Sequence, residues 1–295
     1  MSRIAAATLL SGLLLGQTPA LPYVRTQTSD GKHCFRWPVN AGTRGQLTFV
    51  QSTQGAPGLG TGAFDAVSRS AQTWETQFQS CGNLDLGEGA HSSSRLVEYN
   101  TSGPNENLVL FRSRLCSSVV PPGDPCVNAS SCGNVYDCWD HGDSVVALTT
   151  TTYGRDTGLL YDADVEINAA SETPTVVDSP PCTQGNISTN CVASDVQNAM
   201  THEFGHLLGL AHSPDPNSTM YASEPLGETS KRVLDPGSKQ FVCDVYPKNQ
   251  ASLDCASGST TPSSGCSSAP GPGETLPGLA LLLALAATRR RGAQP

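Results

Sequence analysis

Apolar residues recur at helical spacing in two stretches of this chain and at strand spacing in several others. Phe64, Val67, Ala71 and Trp74 stand at i, i+3, i+7 and i+10, one face of an amphipathic helix from about Gly62 to Phe78. Val196, Met200, Phe204, Leu207 and Leu208 form a second stripe. Its start is marked by Ser194 with Gln197 three positions on, a capping-box pattern, and by Asp195, a negative charge the helix dipole favours in the first turn. This helix is expected to begin near Asp195. Gly209 stands where a C-cap glycine belongs and can take a positive φ at little cost, so the chain can turn sharply there.

Strand signals lie between and around these helices. Gln46 to Val50, Leu84 to Leu86 and Leu108 to Phe111 are short apolar runs, and Gly55 to Gly62 reads as a loop. Ser144 to Tyr153 is rich in β-branched residues, while Leu160 to Asn168 alternates like a partly buried strand. On the second of these, Asp162, Asp164 and Glu166 share one side. Calcium is a candidate ligand for them without further support, and a solvated acidic face is the stronger expectation. Cys116 to Asp143 has no periodicity, which in a compact domain signals a functional or disulfide-tied insertion.

The two ends have a different pattern. Met1 to Ala20 opens with Arg3, runs apolar from Ile4 to Gly16 and closes on Thr18, Pro19 and Ala20, the layout of a secretory signal peptide. At the far end, a Gly, Ser, Thr and Pro-rich stretch precedes the apolar run Leu279 to Ala287 and the basic Arg289, Arg290 and Arg291. That layout follows the logic of processed C-terminal anchoring signals; a retained membrane helix is the alternative, and the run is short for one. The expected division is a leader over 1–20, a domain over 21–248, a linker over 249–275 and an apolar tail over 276–295.

Composition fits this division. With 37% hydrophobic and 15% charged residues the chain can build a core. A net charge of −9, more negative once the basic ends are trimmed, argues against nucleic acid or an anionic membrane as a partner. Eleven cysteines in an exported chain become an even ten once Cys266 is set aside for processing or lipidation, so five disulfides are plausible. Cys182 with Cys191, and Cys243 with Cys255, are close enough to form local loops. Cys116 to Cys138 could instead hold a second metal, but the spacings are not those of a zinc ribbon and the compartment favours oxidation.

The second helix carries the chemistry. His202, Glu203, His206, Gly209 and His212 fall at H-E-x-x-H-x-x-G-x-x-H, and Met220 follows. His202 and His206 lie one turn apart on one face, so both imidazoles can reach one ion with Glu203 beside it, and the turn at Gly209 can return His212 to the same ion. Three neutral imidazoles leave a fourth tetrahedral position open, as catalytic zinc requires. His33, His91 and His141 are scattered singly and are expected at the surface.

These residues resemble the metzincin clan of zinc peptidases. Met220 is similar to the methionine of its Met-turn, and Tyr221 with Ser213 resembles the matrixin branch. The resemblance implies an α+β fold: a twisted mixed sheet with a back helix, an active-site helix and a smaller C-terminal subdomain after the third histidine. It also implies that Val146, Ala147, Leu148 and Thr149 belong to an edge strand where an extended peptide docks. Glu203 would then be the general base, with Met220 beneath the metal. Ala222 stands where some relatives carry a tyrosine ligand, so none is expected. His141 and Asp143 resemble part of a matrixin structural zinc site whose other ligands are missing. No cysteine-switch propeptide appears, and Gly237 and Ser238 replace the usual acidic pair. The tail, with Cys266 between Gly265 and Ser267, resembles the myxobacterial C-terminal sorting tail, which implies outer-membrane association through that tail. The expected protein is an exported, monomeric zinc endopeptidase acting on protein or peptide substrates, with a non-catalytic surface adhesion module on the same fold and hydrolysis of a non-peptide amide as alternatives.

Overall fold

A computed structural model describes residues 22–103, 105–255 and the backbone of 281–286. The leader at 1–20, Cys266 and the arginine cluster lie outside the described residues. No helix among those described is long and apolar enough to cross a membrane.

In chain order the elements are β1 (Gly45–Gln51), α1 (Thr61–Cys81), β2 (Leu84–Glu88), β3 (Asn107–Arg112), three short helices α2 (Cys116–Val119), α3 (Pro125–Ala129) and α4 (Cys132–Tyr136), then β4 (Val145–Tyr153) and β5 (Leu160–Asn168). A two-stranded patch of β6 (Pro174–Thr175) and β7 (Ser194–Asp195) leads into α5 (Val196–Leu208), followed by α6 (Pro236–Val245) and β8 (Leu281–Ala286). The main sheet has the order β2-β1-β3-β5-β4-β8. β2, β1, β3 and β5 are mutually parallel, whereas β4 runs antiparallel to β5 and β8 antiparallel to β4. The fold is thus the expected α+β arrangement with a mixed sheet.

One sheet face is covered by α1 and α5. Phe49, Val109, Phe111, Ala147, Ala163, Val165 and Ile167 point into this core with Trp74, Phe78, Met200 and Phe204. The buried face of α1 is built on Ala63, Ala66, Val67, Ser70, Ala71, Trp74 and Phe78. Phe64 of the expected stripe is only half-buried and packs its ring on His91 instead, at 4.7 Å. Ser70 completes the face because its hydroxyl donates to Ala66 O and Gln197 O, satisfying a buried polar group where α1 meets α5.

The other face of β5 is buried as well, which corrects the expectation of a solvated acidic surface: Asp162, Asp164 and Glu166 are all buried. The segment 95–99 and the cysteine-rich insertion form a roof over them. Backbone N–H groups of Leu108 and Glu98 donate to the two carboxylate oxygens of Asp164, at 2.8 and 3.0 Å. Arg112, itself fully buried, donates to Glu166 at 2.6 Å and to Asp137 at 2.8 Å. Arg95 holds Asp137 from the roof side at 2.8 Å. Burial works to raise the Glu166 carboxyl, but His141 and Arg112 outweigh it and hold it below the ordinary range. Asp162 has no such cation, and burial pushes it up to about 7. Of the histidines expected at the surface, His91 is exposed, whereas His33 and His141 are half-buried against Asp254 and Glu166.

The insertion folds as three single-turn helices stapled by Cys116–Cys138 and Cys126–Cys132. Cys182–Cys191 forms the expected local loop. The expected Cys243–Cys255 pair does not form. Cys243 on α6 faces the end of α1 and joins Cys81, while residues near both ends of the described domain lie side by side and are joined by Cys34–Cys255. Asp254 ties the same corner, accepting from Cys34 N at 2.7 Å. β4 is also not the sheet edge, because β8 pairs along its outer side.

Replacing Arg112 by methionine removes the cation from Glu166 while keeping the apolar bulk, and should destabilise the fold by about 3–5 kcal/mol in urea titration. A loss below about 1 kcal/mol would show that the buried acids do not depend on it.

Candidate metal centre

The helix that carries His202 and His206, α5, is anchored at both ends. Its N-cap is Asp195, whose carboxylate accepts from Asn198 N at 2.7 Å; the expected Ser194–Gln197 box is not used, since Ser194 sits in β7 with its hydroxyl on Glu172. Arg232 clamps the same aspartate at 2.5 and 2.8 Å.

At the other end, four successive carbonyls that a helix terminus leaves open are each given a donor. Gly205 O accepts from Leu210 N and His206 O from Gly209 N, both at 2.9 Å. Leu207 O accepts from the Trp37 indole and Leu208 O from the Tyr246 hydroxyl, both at 2.8 Å. Gly209 takes φ 109°, and a Cβ there would lie 2.5 Å from Phe35 O. Only glycine fits that turn, and the turn brings His212 round.

His202, His206 and His212 converge: their ligating atoms lie within 4.8 Å of one another, with His206 Nε2 3.1 Å from the Nε2 of each neighbour. Carbonyls select the tautomer of the two helix histidines. His202 Nδ1 is 2.7 Å from Thr219 O and His206 Nδ1 2.8 Å from Leu210 O, and because a carbonyl only accepts, both Nδ1 atoms carry the proton. Their Nε2 atoms are therefore lone pairs, pointed at each other in a buried site. Burial, reinforced by His212, lowers His206 to about 3, and burial with Lys231 lowers His212 to about 4; burial first, then His206, Lys231 and His212, hold His202 well below its usual value. All three are neutral at physiological pH. Facing lone pairs without a proton between them need a cation, and a divalent ion with nitrogen preference such as zinc fits this donor set. Among the described residues no other group of three or more such side chains gathers in this way.

Glu203 is fully buried next to this cluster. Thr149 on β4 donates to its Oε2 at 2.6 Å, while Oε1 has no protein partner. Burial raises its carboxyl to about 8, with Thr149 and Lys231 acting to lower it. Val146, Ala147 and Leu148 are buried in β4 with Thr149, so the four residues expected along the cleft fall on the strand that touches Glu203.

Met220 is buried beneath the helix. A Cβ placed on Gly205 would meet Met220 Sδ at 2.2 Å and Trp74 Cζ2 at 3.3 Å. Gly205 is thus the seat of the methionine turn, a role the motif pattern does not mark because this position is a free one in it. Asp235 fixes the turn from the other side, accepting from Thr219 N at 3.1 Å and Ser218 Oγ at 3.3 Å while capping α6 through Gly237 N at 2.7 Å. Sequence reasoning also missed Lys231 and Glu224. Lys231 is buried, its ammonium on Ser223 O at 2.7 Å, and its charge acts on His202, His212 and Glu203. Glu224 is buried and raised to about 8 by burial.

Three neutral imidazoles on a helix and its returning turn, with a buried carboxylate between helix and sheet, make a donor set suited to one divalent metal ion. Residues 131–246 match the matrixin family model, a span that contains β4, β5, all three histidines and the methionine turn. Matrilysin from Felis catus is 40% identical over 52 residues, which is 18% of this chain and 20% of that protein. The chain thus spans about a fifth of that relative's length. The region around the site is thus similar to the matrixin family.

Gly205→Ala should destabilise the fold by about 1–3 kcal/mol by overpacking against Met220, read as a lowered thermal midpoint. Gly87→Ala, where a new Cβ meets nothing within 4 Å, is the matched control and should change little.

Proposed function

We propose that this chain is an exported zinc metalloendopeptidase, held at the cell surface through its C-terminal tail and acting as a monomer on protein or peptide substrates. The observation that carries the reading is the convergence of three imidazoles beside a buried carboxylate whose Oε1 has no protein partner. The matrixin-like span over the same residues supports it.

In this reading His202, His206 and His212 hold the ion through Nε2. Zinc bound there supplies Lewis acidity towards a peptide carbonyl and towards water. Thr149 fixes Glu203 through Oε2, which leaves Oε1 to accept a proton from the attacking water and return it to the leaving amine. Met220 and Gly205 support the floor under the histidines without meeting substrate. The row of backbone groups along Val146 to Thr149 aligns an extended peptide by strand pairing, which needs no particular side chain and suits an endopeptidase. Asp195, Trp37 and Tyr246 act further out, keeping the helix still. The acidic surface leaves nucleic acid without a binding role, and the leader and Cys266 in its tail context support export and anchoring.

Glu203→Gln should retain zinc and lose about 10²–10⁴-fold in kcat/KM on a cleavable peptide. Chelation should abolish cleavage by the parent chain and added zinc restore it. Undiminished cleavage by the variant would remove Glu203 from the chemistry, and a zinc-loaded parent that cleaves no peptide would favour an adhesion module on this fold.

A further inference from the structure

β8 occupies the row of backbone groups that the reading above gives to substrate. It runs antiparallel to β4 with Thr151 opposite Leu281, Thr150 opposite Leu282, Thr149 opposite Leu283 and Leu148 opposite Ala284. Beyond a register shift, Val145 lies opposite Ala286. β5 takes the other side of β4, pairing Thr149 with Val165 and Thr150 with Asp164. β4 therefore has one outward row of N–H and C=O groups, and β8 uses it. Strands pair about 5 Å apart, so a second extended peptide cannot enter the same row while β8 remains.

We propose that the chain's own apolar tail, through Leu281–Ala286, is a tethered occupant of the peptide cleft, so that the full-length chain is latent until the tail leaves β4. The inference rests on the peptidase reading for its consequence, though the pairing itself does not.

Three features support a tail in this place. The six residues Leu-Leu-Leu-Ala-Leu-Ala carry no charge and no proline, the composition that pairs readily with an open strand edge. Thr149, opposite Leu283, also holds Glu203, so the paired segment lies one strand from the carboxylate that would act on a substrate. Tethering supplies the rest. Cys255, fixed to Cys34, precedes Leu281 by 26 positions, and a chain of that length can extend to about 90 Å, ample to reach β4. An occupant on such a tether has an effective concentration in the millimolar range. Weak strand pairing then suffices, because a segment with an untethered dissociation constant ten times below that concentration blocks the cleft about tenfold.

The test compares the full chain, its C-terminus verified by intact mass, with the same chain carrying Leu282→Pro and Leu283→Pro. In an antiparallel ladder successive N–H groups point to opposite sides, so one of these two prolines removes a donor aimed at β4. Hydrogen exchange over Val145–Tyr153 reads the pairing without any activity: the parent should protect the β4 amides that face away from β5, and the variant should exchange those about tenfold faster. Cleavage of an apolar peptide by the zinc-loaded variant should rise by a similar factor, and a synthetic Leu-Leu-Leu-Ala-Leu-Ala peptide with lysine flanks should suppress it again. Equal protection in both chains would overturn the docking. Protection that fades on dilution would overturn a tether within one chain and assign the tail to a second copy. Unequal protection with equal cleavage overturns latency. Unequal protection with no cleavage by either chain leaves the docking standing and sinks the peptidase reading instead.

Discussion

Two imidazole nitrogens, Nε2 of His202 and Nε2 of His206, face each other with their lone pairs at 3.1 Å, which cannot be a resting arrangement for uncharged rings in a buried pocket. Lone pairs repel, and burial blocks the two ordinary remedies, protonation and hydration. A cation is what remains, and the surrounding structure is arranged so that the rings cannot turn away from it. Thr219 O and Leu210 O hold the protonated Nδ1 atoms of the two helix histidines, so rotating either ring would break a buried hydrogen bond.

That constraint explains why so much of the fold converges on the end of one helix. Trp37 from the N-terminal segment and Tyr246 after α6 reach the last carbonyls of α5, and the Cys34–Cys255 and Cys81–Cys243 bridges bind the segments that carry them. The left-handed turn at Gly209 supplies the third histidine, and Gly205 admits Met220 below. On the sheet side, Thr149 orients Glu203 from β4. Helix, turn and strand each deliver one part of the site, and each is held by bonds from a different part of the chain. A polar network roofs the far face of the sheet, where Arg112 neutralises Glu166 and keeps β3 and β5 in register beneath the insertion.

How much of this can be read in the sequence follows from the range of each interaction. His202, Glu203, His206, Gly209 and His212 are set by helix geometry and one turn, so their spacing alone announces the site. Five of the six strands of the main sheet and both long helices are likewise legible from period. What escapes is whatever depends on distant segments meeting. Alternation in Asp162, Asp164 and Glu166 records that one strand face is polar, but cannot distinguish water from a roof of Glu98, Asp137 and His141 over it. Cys243 and Cys255 are near in sequence, yet the helix carrying Cys243 presents it to Cys81. Gly205 sits at a free position of the metal-binding pattern, and only the packed Met220 reveals its purpose. β4 is an edge strand only by the family resemblance, and its covering strand comes from a tail whose apolar run reads, in sequence, as an address signal.

X-ray absorption with elemental analysis on the purified full chain reads directly whether the triad holds one transition-metal ion. One zinc per chain is expected, with three imidazole nitrogens at about 2.0–2.1 Å and a lighter donor in the remaining position. A folded chain with its five disulfides formed that contains no zinc, and takes up none when supplied, would contradict it.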